Sequence, residues 1–107
     1  DEYFYLPHRK EARGIGGIFF DYKKNNFEKN FKFVRDVGVT FQMLFNKIIR
    51  KKLKKKWTIN DKEIQYIKRG RYTEFNLLYD RGTKFGLQTA GNVEGILMSL
   101  PPLAKWK

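Results

Sequence analysis

At Asp80 an apolar run ends on two opposite charges, in the stretch EFNLLYDRGTKFGL, residues 74–87. A carboxylate, a guanidinium and a glycine in succession make a turn with one acceptor and one fork of donors in fixed relation. Such a pair suits an acidic, nitrogen-rich ligand. Asp80 can accept from N–H groups, and Arg81 can grip a carboxylate through paired hydrogen bonds. A local reading stands beside it: a turn closed by an Asx bond, with a charge left at the surface. A second concentration of polar side chains lies in PHRKEARGIGG, residues 7–17, where His8, Arg9, Glu11 and Arg13 fall close together. Two arginines beside a glycine-rich segment can hold carboxylates in the same two-pronged way. The single histidine offers no metal pair, and the absence of cysteine removes a disulfide framework and a Cys-based zinc site. Gly14 and Gly16 miss the dinucleotide-binding fingerprint, because Phe19 stands where its last glycine belongs.

Elements must position these groups. Residues 3–8, aromatic and interrupted by Pro7, read as a strand with an irregular exit, and residues 14–22 as a second strand. Glycines at the start of the second suggest a bulge or a close backbone approach. The period then changes. Phe27, Phe31, Val34, Val37, Phe41, Leu44 and Ile48 recur at three- and four-residue spacing, one face of an amphipathic helix from about Asn26 into a lysine run. Asn25 or Asn26 can cap it, Glu28 suits its first turn, and Gly38 on the apolar face would allow close packing. A shorter helix is expected over 60–69, with Asn60 and Glu63 in capping-box spacing and Gly70 as the stop. Residues 71–80 read as the strongest strand and 84–88 as a short one after the turn at 81–83. NVEGILMSL, residues 92–100, reads as a helical segment begun at Asn92 and halted by Pro101 and Pro102. The order β-β-α-α-β-β-α predicts an α+β piece, a mostly antiparallel sheet flanked by helices. By strand parity, Thr73, Phe75, Leu77 and Tyr79 would face the core. Tyr72, Glu74, Asn76, Leu78 and Asp80 would face either solvent or a polar cavity.

The chain has 107 residues, which bounds it to a single piece, and 41% hydrophobic with 17% aromatic content excludes whole-chain disorder. Lysine and arginine total 23 against 11 acids, a net +12 that favours polyanions: nucleic acid, anionic lipid, or a small polycarboxylate. Much of that charge sits in NKIIRKKLKKKW, residues 46–57. As a solvated helix end the run is ordinary. As a nucleic-acid element it lacks alternating aromatics, Trp57 standing alone. No apolar run reaches membrane-span length and no signal-peptide pattern opens the chain. The lack of cysteine fits a reducing compartment. The chain starts without Met on what reads as a strand already under way, as a piece cut from a longer protein does.

Three stretches carry a resemblance: YFYLPHRKEARGIGGIFFD (3–21), RGRYTEFNLLYDRGTKFGLQT (69–89) and EGILMSLPPLAKW (94–106). Together they resemble the C-terminal part of the oxygen-dependent coproporphyrinogen III oxidases, thinly between 22 and 68. The chain departs from many relatives at Tyr22, where they carry an acid, at Ala90, where they carry glycine, and at Gly95, where they carry serine. The resemblance implies an enzyme of haem synthesis that converts two propionates of coproporphyrinogen III to vinyls with O2, releasing CO2. It further implies no metal or organic cofactor, a homodimer, and a flat antiparallel sheet between helices. The compartment implied is the cytoplasm, or for some relatives the mitochondrial intermembrane space.

Carried onto these residues, the resemblance makes Asp80 the acceptor for pyrrole N–H groups that assists their deprotonation. Arg81 and Arg13 become partners of propionates, and cations nearby would keep Asp80 ionised. His8 would orient its turn or move protons, with Asp21, Lys84 and Asn76 supporting. Glu74 would help line or buttress the cavity. Two other readings remain open: a basic module that binds nucleic acid or an acidic partner through 47–56, and a fragment inert without the rest of its active site.

Overall fold

Asn26 begins the longest helix as its spacing predicts: its side chain accepts from the Lys29 N–H at 3.0 Å, opening α1 (Phe27–Lys52). Glu28 occupies the first turn, and Arg50, Lys51 and Lys52 the last, each complementing the helix dipole. The computed structural model describes residues 2–107. They form two compact units, one of residues 2–17 with Thr58–Lys107, the other Ile18–Trp57.

In the Ile18–Trp57 unit, α1 leaves its apolar face open. None of its residues is buried, and Phe31, Val34, Phe41, Leu44 and Ile48 are all more than half exposed. Ile18, Phe33, Val37, Phe41 and Leu44 line an apolar groove of about 460 Å³. Phe20 meets Phe33 edge-on at 4.9 Å. The strand expected at 14–22 does not form. A strand needs a neighbour for its backbone groups, and among the described residues nothing pairs with this one. Nothing packs on Gly38 either: a Cβ there would meet no atom within 4 Å.

The other unit is built on α2 (Ile59–Leu78). Thr58 and Asp61 form the capping box, with the Thr58 N–H donating to Asp61 Oδ2 at 2.7 Å and the Asp61 N–H to Thr58 Oγ1 at 3.2 Å. The box therefore lies two residues before the expected Asn60–Glu63 pair. Gly70 does not stop the helix. It is buried in mid-helix, where a Cβ would lie 2.4 Å from the Lys105 carbonyl oxygen. Glycine thus admits the C-terminal tail, which is held by Lys105 N–H donating to the Tyr66 carbonyl at 3.0 Å and by Lys105 Nζ on Glu63 at 2.6 Å.

Because the helix runs through Gly70, residues 71–78 are helical and the expected strand over 71–80 is absent. Thr73 and Asn76, residues that weaken helices, donate their side chains back to the carbonyls of Arg69 and Tyr72 at 3.0 and 2.9 Å. The 84–88 strand is likewise replaced by α3 (Arg81–Gln88). Ala90 follows at φ +54°, and the Gly91 N–H donates to the Gly86 carbonyl at 3.0 Å, a Schellman end with alanine where glycine is usual. Asn92 accepts from Glu94 and Gly95 N–H groups and starts α4 (Val93–Leu97), as expected at that residue.

Among the described residues, antiparallel structure is limited to β1 (Tyr5–Leu6) and β2 (Glu11–Ala12), with Tyr5 opposite Ala12 and Leu6 opposite Glu11. The first is far shorter than the 3–8 strand expected, since Glu2–Phe4 is a 3-10 turn. The α+β class holds, but the described residues are mostly helical and the mostly antiparallel sheet is not found. Leu6 and Phe75 form the buried centre between hairpin and α2, with Tyr3 and Phe4 ringing Phe75 at 5.7 and 5.5 Å.

Candidate functional site: a polar clamp and a capped corner

The β1–β2 turn carries His8 and Arg9, and α2 offers them Glu74. Arg9 grips Glu74 with two parallel bonds, Nε to Oε2 and Nη2 to Oε1, both 2.6 Å. His8 Nε2 lies 2.7 Å from Glu74 Oε2, and its Nδ1 lies 2.7 Å from the Tyr79 hydroxyl. Arg71, one turn earlier on α2, sits 3.8 Å from Glu74 Oε1 and donates Nε to Glu11 on β2. Lys68 stands 3.7 Å from the other Glu11 oxygen. Two acids and four basic side chains thus bind the hairpin to one face of α2. The Arg9 fork is the main cause that holds the Glu74 carboxyl down at about 2, with His8 adding to it. The bond from Arg71 likewise lowers Glu11, and the bond to Glu74 raises Arg9.

Arg13 is held differently. Its guanidinium lies 4.1 Å from the Phe4 ring centre, 4.7 Å from Tyr72 and 5.1 Å from Phe75. Three ring faces attract the cation, while Nε is buried without a hydrogen-bond partner. Among the described residues Arg13 makes no ion pair with a carboxylate.

Asp80 caps α3. Its Oδ2 accepts from the Thr83 N–H at 2.7 Å, and its carbonyl accepts from the Lys84 N–H at 3.0 Å. Asp80 thus has a local role, but as a helix cap rather than as the Asx turn between strands that was expected, and it uses one carboxylate oxygen. Asp80 Oδ1 has no hydrogen bond among the described residues. Arg81 and Lys84 are exposed in the first turn of α3. Asn76 spends its amide on α2 itself. Asp21 is exposed and belongs to the Ile18–Trp57 unit.

Of the residues singled out, the fold brings His8 and Arg13 onto α2 and gathers Asp80, Arg81 and Lys84 at one helix start. No bond joins the two groups. Sequence reasoning missed Arg71 and Tyr79 as working parts. The signal for Arg71 was its spacing of three from Glu74, an ion-pair spacing only on a helix, which the strand reading of 71–80 concealed; Tyr79 carried none. Among the described residues no group of three or more His, Cys, Asp or Glu is gathered as metal ligands, and no helix is long and apolar enough to cross a membrane.

Comparison with known proteins bears on what this arrangement serves. The family model described as coproporphyrinogen III oxidase matches residues 1–107. Proteins named oxygen-dependent coproporphyrinogen-III oxidase from Rickettsia rickettsii (strain Sheila Smith) and Rickettsia bellii (strain OSU 85-389) are each 64% identical over 107 residues, 99% of this chain. The protein of that name from Rickettsia akari (strain Hartford) is 63% identical over the same length. In each case the chain spans 38% of the relative's own length.

Proposed function

The chain belongs to the coproporphyrinogen III oxidase family, and we propose that it forms part of an oxygen-dependent oxidase that converts two propionates of coproporphyrinogen III to vinyls, yielding protoporphyrinogen IX. For each propionate O2 takes up two electrons and two protons and leaves as H2O2, while CO2 is released; no metal or organic cofactor is invoked. The protein acts as a homodimer in the cytoplasm, in keeping with a chain free of cysteine. The 107 residues are one piece of a longer catalytic domain, inactive without the remainder.

The observation that carries the site assignment is the state of Asp80. It is half-buried, outside any ion pair among the described residues, and engaged through Oδ2 alone. Oδ1 is left to accept from pyrrole N–H groups and to assist their deprotonation, which makes the ring electron-rich toward O2. Arg81, on the next residue, and Arg13, cradled by rings, supply positive charge for propionates. Lys84 adds a further cation one turn into α3, while His8 and Asn76 act through α2.

Capping and chemistry separate by substitution. Asparagine caps helices about as well as aspartate, but it cannot take a proton. Asp80→Asn in the full-length parent is expected to keep the fold and to lose about 10²- to 10⁴-fold in coproporphyrinogen oxidation followed by porphyrin fluorescence. Near-normal turnover in Asp80→Asn would make Asp80 a cap and nothing more.

A further inference from the structure

His8 is the chain's only histidine, and both its ring nitrogens are engaged, one by Glu74 of α2 and one by Tyr79 at that helix's C-cap. We infer that Glu74 and Tyr79 are positioning residues for His8, fixing its imidazole in a single tautomer and thereby tying the β1–β2 turn to the corner that carries Asp80. The kinetic half of this inference rests on the proposed oxidase function; the tautomer half does not.

The tautomer follows from charge. Glu74 is ionised across the neutral range because the Arg9 fork holds it far below the usual carboxylate value. An ionised carboxylate only accepts. His8 Nε2, 2.7 Å from Glu74 Oε2, must therefore carry the hydrogen. In the neutral ring Nδ1 is then the acceptor, and the Tyr79 hydroxyl donates to it across 2.7 Å. Neither partner is free to move. The Glu74 side chain is only 10% exposed and clamped by Arg9, and the Tyr79 ring packs 6.3 Å from Phe75 and 5.6 Å from the imidazole.

Tyr79 also stands directly before Asp80. The N–H groups of both residues donate to the Phe75 carbonyl, at 2.8 and 3.0 Å. A shift of the Tyr79 backbone would thus also move Asp80, the residue that caps α3. Around the ring the charged and titratable groups are Glu74 and Tyr79 in contact, Arg9 and Arg71 on Glu74, and Glu11 with Lys68 beyond. Arg9 and Glu11 come from the hairpin, Glu74, Arg71 and Lys68 from α2, and Tyr79 from its C-cap.

The test uses the full-length parent labelled with ¹⁵N-histidine, the His8 signals being identified by their loss in His8→Gln. Wild type should show ring-nitrogen shifts of the Nε2–H tautomer. Glu74→Gln, which also loses one acceptor for Arg9, should give a mixture of tautomers. Tyr79→Phe keeps the ring and removes only the hydroxyl, and should retain Nε2–H while loosening the corner. Both variants should lower kcat about tenfold, the worth of one hydrogen bond of about 1.4 kcal/mol, with KM within about twofold of wild type. An unchanged tautomer in Glu74→Gln overturns the clamp. So does a loss of rate in Tyr79→Phe that is wholly explained by its unfolded fraction. A wild-type parent unable to oxidise coproporphyrinogen would sink the functional reading, while the nitrogen shifts would still decide the tautomer.

Discussion

α1 and α2 are the two long helices of this chain, each with a glycine in mid-course, and they use it in opposite ways. Gly70 of α2 is buried under the Lys105 carbonyl. Gly38 of α1 has open space where its Cβ would be. The contrast extends to the side chains. α2 carries the buried Phe75 and an ion-pair network that draws in the hairpin, whereas α1 buries nothing. A strong amphipathic pattern is thus no guarantee of packing; a helix is secured by what lies on it. α1 depends on its caps and its own backbone bonds, and α2 on tertiary partners.

Substitution can break this contrast or sharpen it. The largest effect is expected at Gly70→Ala. A methyl group 2.4 Å from a backbone oxygen forces the tail off α2, at a cost of about 2–3 kcal/mol read from urea unfolding. An unchanged midpoint would mean that the tail is not seated there.

Acid titration probes the network on α2. Glu74 falls from the ordinary value of 4.5 to about 2 in the folded chain. Its depressed value adds stability that is fully present above 4.5 and is lost as pH falls through about 2. Thermal unfolding between pH 5 and 2 should therefore decline more steeply in wild type than in Glu74→Gln, and parallel curves would contradict the assignment.

Gly38→Ala is expected to act in the opposite direction to Gly70→Ala. In the isolated chain it should stabilise α1 by about 1 kcal/mol through helix propensity alone, measured as increased helicity and melting temperature. A loss instead would reveal a close partner on that face. The smallest effect belongs to Ala90→Gly. Alanine at φ +54° is strained, and relieving it against the greater unfolded-state entropy of glycine should yield roughly 0.5–1 kcal/mol of stabilisation.

Legibility in the sequence followed the range of the forces involved. α1 could be read because its signals are local: a capping asparagine, an acid in the first turn, and apolar residues at helical spacing. The start of α4 at Asn92 was legible for the same reason. Residues 71–80 were misread because Tyr, Thr and Phe favour strands and Gly70 resembles a helix stop. Both signals are overridden by the tail, which contacts α2 from more than thirty positions away along the chain. The strand at 14–22 failed for want of a neighbour. As for the site, Asp80, Arg81, His8 and Arg13 stood out by residue type; a local turn role for Asp80 was among the readings made, but its place as a helix cap was hidden by the strand reading of 84–88. Arg71 and Tyr79 did not stand out, since the partners that bond them, Glu11 and His8, lie on the hairpin far away along the chain.

By itself the sequence determined membership of its family, the net positive charge, the local starts of α1 and α4, and the residue types available for gripping carboxylates. Each of these is a property of residues taken singly or a few places apart. Tertiary structure alone decided that α2 continues through Gly70, that Glu74 faces Arg9 and His8 together, and that Arg13 is held by rings. Those outcomes depend on which distant groups share a low-dielectric contact, where an unpaired charge is costly and a paired one fixes geometry.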